Sequence, residues 1–298
     1  ASGNTAVGRE ALALNTTGIQ NTAMGAYALD ANTTTHYNTA VGYGSLGANT
    51  AADNTAVGVN SLLTNTTGAD NVGLGRSALY SNTTASNNVA VGKNALWANT
   101  TGSENIAVGA LALDANTTGT NNIGIGYGAL GGNTTADNNT AVGRTALNAN
   151  TTGAANVAVG AYALDANTTG SSLVAIGKGA LGANTTANDN TAVGDGALLA
   201  NTTGASSVAV GKSALLVNTT GGYNTAVGVL ALDANTTANY NTAVGYAALT
   251  QNSTGSENTS MGWGALGANT TASYGTAIGS KALADNTTGA NNTAVGER

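Results

Sequence analysis

The chain is predicted to be all-β, a parallel β-solenoid (β-roll or β-helix) of about seventeen coils, on three observations. One seventeen-residue phrase recurs across all 298 residues, as in Asn105-Ile106-Ala107-Val108-Gly109-Ala110-Leu111-Ala112-Leu113-Asp114-Ala115-Asn116-Thr117-Thr118-Gly119-Thr120-Asn121. A strict short period means that each copy buries its apolar side only against its neighbours. Apolar residues recur in register, which disorder does not impose, and no apolar stripe of period 3.6 runs beyond one turn. Coils begin at about 4, 21, 38, 54, 71 and every seventeen residues after, so residues 1–298 read as a single continuous array, expected to be part of a longer chain.

Each coil is numbered from the Asn of Asn-Thr-Ala-Val-Gly. Position 2 is Thr, Val or Ile and position 4 is aliphatic or Met, the spacing of one strand face. This places Val91, Val108, Ile125 and Val142 in the core. Position 5 is Gly in every copy, so Gly92, Gly109, Gly126 and Gly143 are predicted corners needing positive φ or close backbone approach. Position 9 is Leu in all seventeen full coils, which makes Leu96, Leu113, Leu130 and Leu147 a second core column.

Position 12 is Asn in all seventeen. Asn99, Asn116, Asn133, Asn150, Asn167 and Asn184 are predicted to stack as a hydrogen-bonded ladder. The Asn-Thr-Thr that follows matches an N-glycosylation acceptor pattern, but an inward ladder makes that match a by-product of the fold. Small residues at positions 3 and 8, such as Ala141, Ala146, Ala192 and Ala197, suggest either a second close-packed surface against another chain or a coil flattened on itself. The third coil lacks one residue, in the loop after Asn49.

Composition narrows function. The net charge is -6 with 7% charged residues and no Cys or Pro, so no disulfide or thiolate zinc site can form and no basic field exists for nucleic acid. No apolar run approaches the roughly 20 residues of a membrane span, so no membrane insertion by this segment is expected. No cofactor is implied.

At Asn-Thr-Ala-Val-Gly the chain resembles the head repeats of trimeric autotransporter adhesins, whose motif reads approximately Asn-Ser-Val-Ala-Ile-Gly. It is also similar to the Asn-Thr-Ala-x-Gly-x-x-Ala-Leu-x-x-Asn-Thr-Thr-Gly arrays of bacterial surface and phage tail-fibre-like proteins. The likeness covers the whole chain and implies a left-handed roll, a homotrimer, and a location that is extracellular, on a cell or virion surface. The coil is a little longer than in the adhesin heads, and neither a heptad stalk nor a membrane anchor is present in this piece.

Candidate chemistry is sparse. His36, the only histidine, lies beside Tyr37 in a variable segment and reads as a solvated loop residue. Gly124-Ile125-Gly126 is a variant of the coil corner, without the strand-to-helix setting of a dinucleotide site. Asp30, Asp114, Asp165 and Asp233 at position 10, and Asp70, Glu104, Asp189 and Glu257 at position 17, read as rim charges and not as calcium ligands. Arg9, Arg76, Lys93, Arg144, Lys178 and Lys212 form a sparse column at position 6 that would oppose lateral sheet growth. Ten tyrosines with Trp97 and Trp263 occupy variable positions and could serve carbohydrate or protein contact.

The expected function is therefore a non-enzymatic extracellular structural or adhesive rod, the head or shaft of a fibre, with multivalent weak binding and a span of roughly 80 Å. Its expected partners are itself, as a homotrimer or end to end, and surface glycans or host proteins. The alternatives are a filament subunit stacking end to end and an ice-binding solenoid using Thr columns at positions 13 and 14. For ice the sequence allots one outward Thr column per face, because adjacent strand residues point oppositely.

Overall fold

The computed structural model describes residues 2–298. It is a parallel β-solenoid of about seventeen turns, with eighteen three-residue strands from Thr5–Val7 to Thr293–Val295 and no helix among the described residues. The chain forms two compact units, one ending at Thr152 and the other beginning at Gly153, each built from the same coil. Within each unit every strand pairs in parallel with the strand of the next coil, and equivalent positions face one another. Val108 pairs with Ile125, for example, and Ile125 with Val142.

The strand faces are the reverse of the expectation. Position 3 is the buried one: Ala107, Ala141, Ala158 and Ala192 are all 0% exposed. Position 4 points out, leaving Val108 at 36% and Ile125 at 39% exposure, with Val91 and Val142 half-buried. These four residues are therefore not core, and the Ala columns at positions 3 and 8 are interior filling, not an outer contact surface. The reason is thickness. A Cβ at Gly124 would lie 3.0 Å from Ala129 O and 3.3 Å from Leu113 Cγ, so a methyl fills the space between strand and Leu column. A β-branched side chain does not fit there.

Leu96, Leu113, Leu130 and Leu147 are fully buried. All seventeen Leu of this column have positive φ, Leu113 at 53°, a region that costs a bulky residue about 1–2 kcal/mol. Positive φ also recurs at positions 5, 7 and 17, as at Gly109 (134°), Leu111 (60°) and Asn121 (57°). With positions 5, 7 and 9 all left-handed, the chain curls tightly enough to send both Ala112 and Leu113 inward. From Leu12 to Leu130 and from Leu164 to Leu266 the Leu N–H is held by the coil that follows, as Leu113 N–H donates to Ala129 O at 3.0 Å.

Three side-chain ladders tie the coils together. In the first, Asn116 Nδ2 donates to Asn99 Oδ1 at 2.9 Å, and Asn133 Nδ2 to Asn116 Oδ1 at 2.9 Å. Asn150 Nδ2 extends it to Asn133 Oδ1, and in the second unit Asn184 Nδ2 donates to Asn167 Oδ1. The second runs through the Asn of position 1: the Asn122 N–H donates to Asn105 Oδ1 at 3.0 Å. Both Asn amides of one coil converge on one carbonyl, as Asn105 and Asn116 do on Gly119 O at 2.8 and 3.0 Å. The residue missing from the third coil is absorbed here, with Ala51 O accepting from both Asn38 and Asn49. The third ladder, at position 16, is described with His36 below.

The position-1 ladder has natural gaps. Leu173 takes its place in one coil, fully buried, and offers no acceptor to the N–H of Asn190. Leu173→Asn is expected to shift the thermal midpoint little, because the two ladder hydrogen bonds gained, about 1 kcal/mol each, offset the roughly 2 kcal/mol of leucine burial lost. Ser207 behaves as a partial replacement, its hydroxyl accepting the Asn224 N–H at 3.2 Å.

Candidate binding surfaces

The outward strand face is the most extended feature of each unit. Position 4 presents Met24, Val57, Leu74, Val108 and Ile125 in the first unit, and Ile176, Val227, Met261 and Ile278 in the second, each between 36% and 45% exposed. Position 2 stands beside it with Thr, Val or Ile, of which Ile106 and Val208 are 37% exposed. The parallel register aligns these side chains coil after coil into an aliphatic strip. Scattered surface apolar residues are ordinary, whereas a contiguous file of them marks a contact surface.

His36 is not a free loop residue. Its Nδ1 accepts the N–H of Ile19 at 3.0 Å, one coil back. The same bond recurs at position 16 with other acceptors: Ser86 Oγ for Ala69, Asp137 Oδ1 for Thr120, Asn188 Oδ1 for Ser171 and Ser256 Oγ for Asn239. His36 is thus one rung of a mixed ladder. Gly126 turns a corner at φ 131°, and Gly124 is a strand residue facing the core, so the Gly-x-Gly brings no cradle together.

Asp70, Glu104, Asp189 and Glu257 are exposed, as are the six basic residues at position 6. Arg9 lies over the Tyr27 ring at 4.6 Å. Among the described residues no group of three His, Cys, Asp or Glu converges. The four position-10 aspartates sit lower in the surface. Burial pushes the carboxyls of Asp30, Asp114 and Asp165 above their ordinary range, opposed by hydrogen bonds from their own backbone N–H groups. Asp233 instead accepts the Thr250 hydroxyl at 2.5 Å.

Aromatic side chains gather in neighbouring coils. Tyr223 and Tyr240 stack with centroids 5.1 Å apart, Tyr80 and Trp97 at 6.1 Å, and Tyr27 meets Tyr43 edge-on at 5.7 Å. Trp97 and Trp263 are 44% and 49% exposed, the latter under Lys281. At position 12 the Asn side chains from Asn32 to Asn269 are 0% exposed, and the Asn116 amide is bonded on both sides, so the Asn-Thr-Thr of these coils presents no exposed acceptor amide. Both Thr of the pair are at least partly exposed, contrary to the one-column expectation, because positions 13 and 14 lie in a bend where strand alternation does not hold.

No family model matches the chain, and no curated protein matches it as a relative.

Proposed function

We propose that the chain is a non-enzymatic, extracellular structural and adhesive fibre segment that assembles with further copies of itself, as a homotrimer, through the outer strand face. The observation carrying this reading is the apolar file at position 4, repeated from coil to coil within each unit. A partner for such a strip must repeat its own apolar groups at the spacing of one coil, about 4.8 Å. A second copy of this chain meets that requirement by construction. Assembly would leave the position 6, 10 and 17 edges, with their aromatic residues, free for many weak contacts along a cell or virion surface.

Light scattering of the intact chain is expected to give three times the 28.6 kDa chain mass. The triple variant Val57→Lys, Val108→Lys, Ile125→Lys should return a monomer with an unchanged β spectrum. A monomeric wild type refutes the assembly, and a mass that rises steadily with concentration favours end-to-end filaments instead.

A second reading, ice binding, is favoured by the paired Thr columns. Thr117 Oγ1 donates to Thr134 O at 3.0 Å, and Thr100 and Thr134 repeat the bond, which fixes the hydroxyls in a regular row. Thermal hysteresis at low protein concentration supports this reading, and its absence removes it.

A further inference from the structure

Three of the four position-10 aspartates are followed, one coil later, by glycine at the same position: Asp30 by Gly47, Asp114 by Gly131 and Asp165 by Gly182. The same three coils carry a second glycine at position 7, Gly44, Gly128 and Gly179. The fourth, Asp233, is followed by Thr250, whose hydroxyl takes the place above the carboxylate. The glycines hollow the surface beside the acid. A Cβ at Gly47 would stand 3.1 Å from Leu63 Cδ1 and 3.5 Å from Asp30 Oδ1, and one at Gly131 2.7 Å from Asn148 Nδ2 and 3.3 Å from Asp114 Oδ1.

Two cavities of about 480 and 460 Å³ result, and they share an aspartate, two glycines and a position-6 tyrosine. The first has Asp30 and Gly47 with the Tyr43 ring on one side and Asn60 on the other. The second has Asp114, Gly131 and Tyr127 at the same positions, with Asn148 of position 10 in place of the Asn60 of position 7. Tyr43 and Tyr127 are 54% and 55% exposed, with Tyr27 meeting Tyr43 edge-on.

We propose that these two notches bind neutral pyranose units of surface oligosaccharides, with the sugar's apolar face on Tyr43 or Tyr127 and vicinal hydroxyls donating to Asp30 or Asp114. The chemistry selects this class. A carboxylate with free lone pairs accepts hydroxyl donors in charge-assisted bonds, an aromatic ring supplies apolar area with few torsions, and an amide adds a donor and an acceptor. One carboxylate per notch falls short of the six to eight oxygens a calcium ion takes. The third notch, at Asp165 and Gly182, has Lys178 where the others have Tyr and should bind such sugars more weakly.

This inference rests on the adhesive reading and adds the ligand class and its place. The test probes the intact chain with an immobilised panel of neutral manno-, gluco-, galacto- and N-acetylglucosamine oligosaccharides, followed by titration of the best binder. Asp30→Asn with Asp114→Asn, which keeps side-chain shape, should weaken binding at least tenfold, and Gly47→Thr with Gly131→Thr, which copies Thr250 above Asp233, should do the same. Asp233→Asn should leave binding within twofold. Binding by no member of the panel, binding unchanged in the Asn pair, or binding abolished by a calcium chelator overturns the proposal. The assembled mass, read on the same samples, stays at the wild-type value in the Asn pair; sugar binding that fails while assembly persists removes the notches and leaves the fibre reading standing.

Discussion

Gly109→Ala is expected to destabilise the first unit by about 4 kcal/mol, the sum of a backbone region essentially closed to side chains and a clash with rigid backbone. Gly109 has φ 134°, and a Cβ there would lie 2.5 Å from Gly126 O and 2.7 Å from Gly126 C in the next coil. Neither atom can move without parting the two coils. Because each coil is stabilised by its neighbours, the damage spreads along the stack. Chemical denaturation and proteolysis between residues 105 and 126 would measure it. The matched control is Gly124→Ala, which installs the residue most coils already carry at position 3 and should change stability little.

Asn116→Ala is expected to cost about 3 kcal/mol, since three hydrogen bonds are lost and buried polar groups are left without them. Asn116 donates to Asn99 Oδ1 and Gly119 O and accepts from Asn133 Nδ2. Gly119 O keeps its bond from Asn105, but Asn99 Oδ1 loses its donor in a place water does not reach. Asn116→Asp should be worse at neutral pH, because it keeps the shape while burying a charge and removing both donors. A loss of less than 1 kcal/mol in the alanine variant would mean that the ladder follows from stacking and contributes little to holding it.

Much of the coil was legible in the residues themselves. A large side chain that never varies, Leu113 with its equivalents, has to be inside, and an amide that never varies, Asn116, has to be bonded to its own kind. The strand was misread because a period of two sorts residues into faces without saying which face is inner. Hydrophobicity alone points Val108 inward, whereas the narrow gap above Leu113 admits Ala107 or Gly124. Size decided where polarity suggested otherwise.

The remaining features left weaker signals. The position-16 ladder was invisible because His36, Ser86 and Asp137 share only the ability to accept one hydrogen bond. Positive φ at Leu113 carries no signature, since leucine is among the last residues expected there. The notches at Asp30 and Asp114 could have been found from sequence by aligning coils in pairs, because what marks them is a glycine seventeen residues after each aspartate.

Absence of cysteine allows the stacking of coils to be measured directly. Spin labels placed in pairs at position-6 sites of the first unit, Tyr43 with Lys93, Ala110, Tyr127 or Arg144, separate them by three, four, five and six coils. The stacked solenoid predicts mean distances of about 14, 19, 24 and 29 Å, one strand spacing of about 4.8 Å per coil. Distances that do not climb in equal steps with coil number would contradict it.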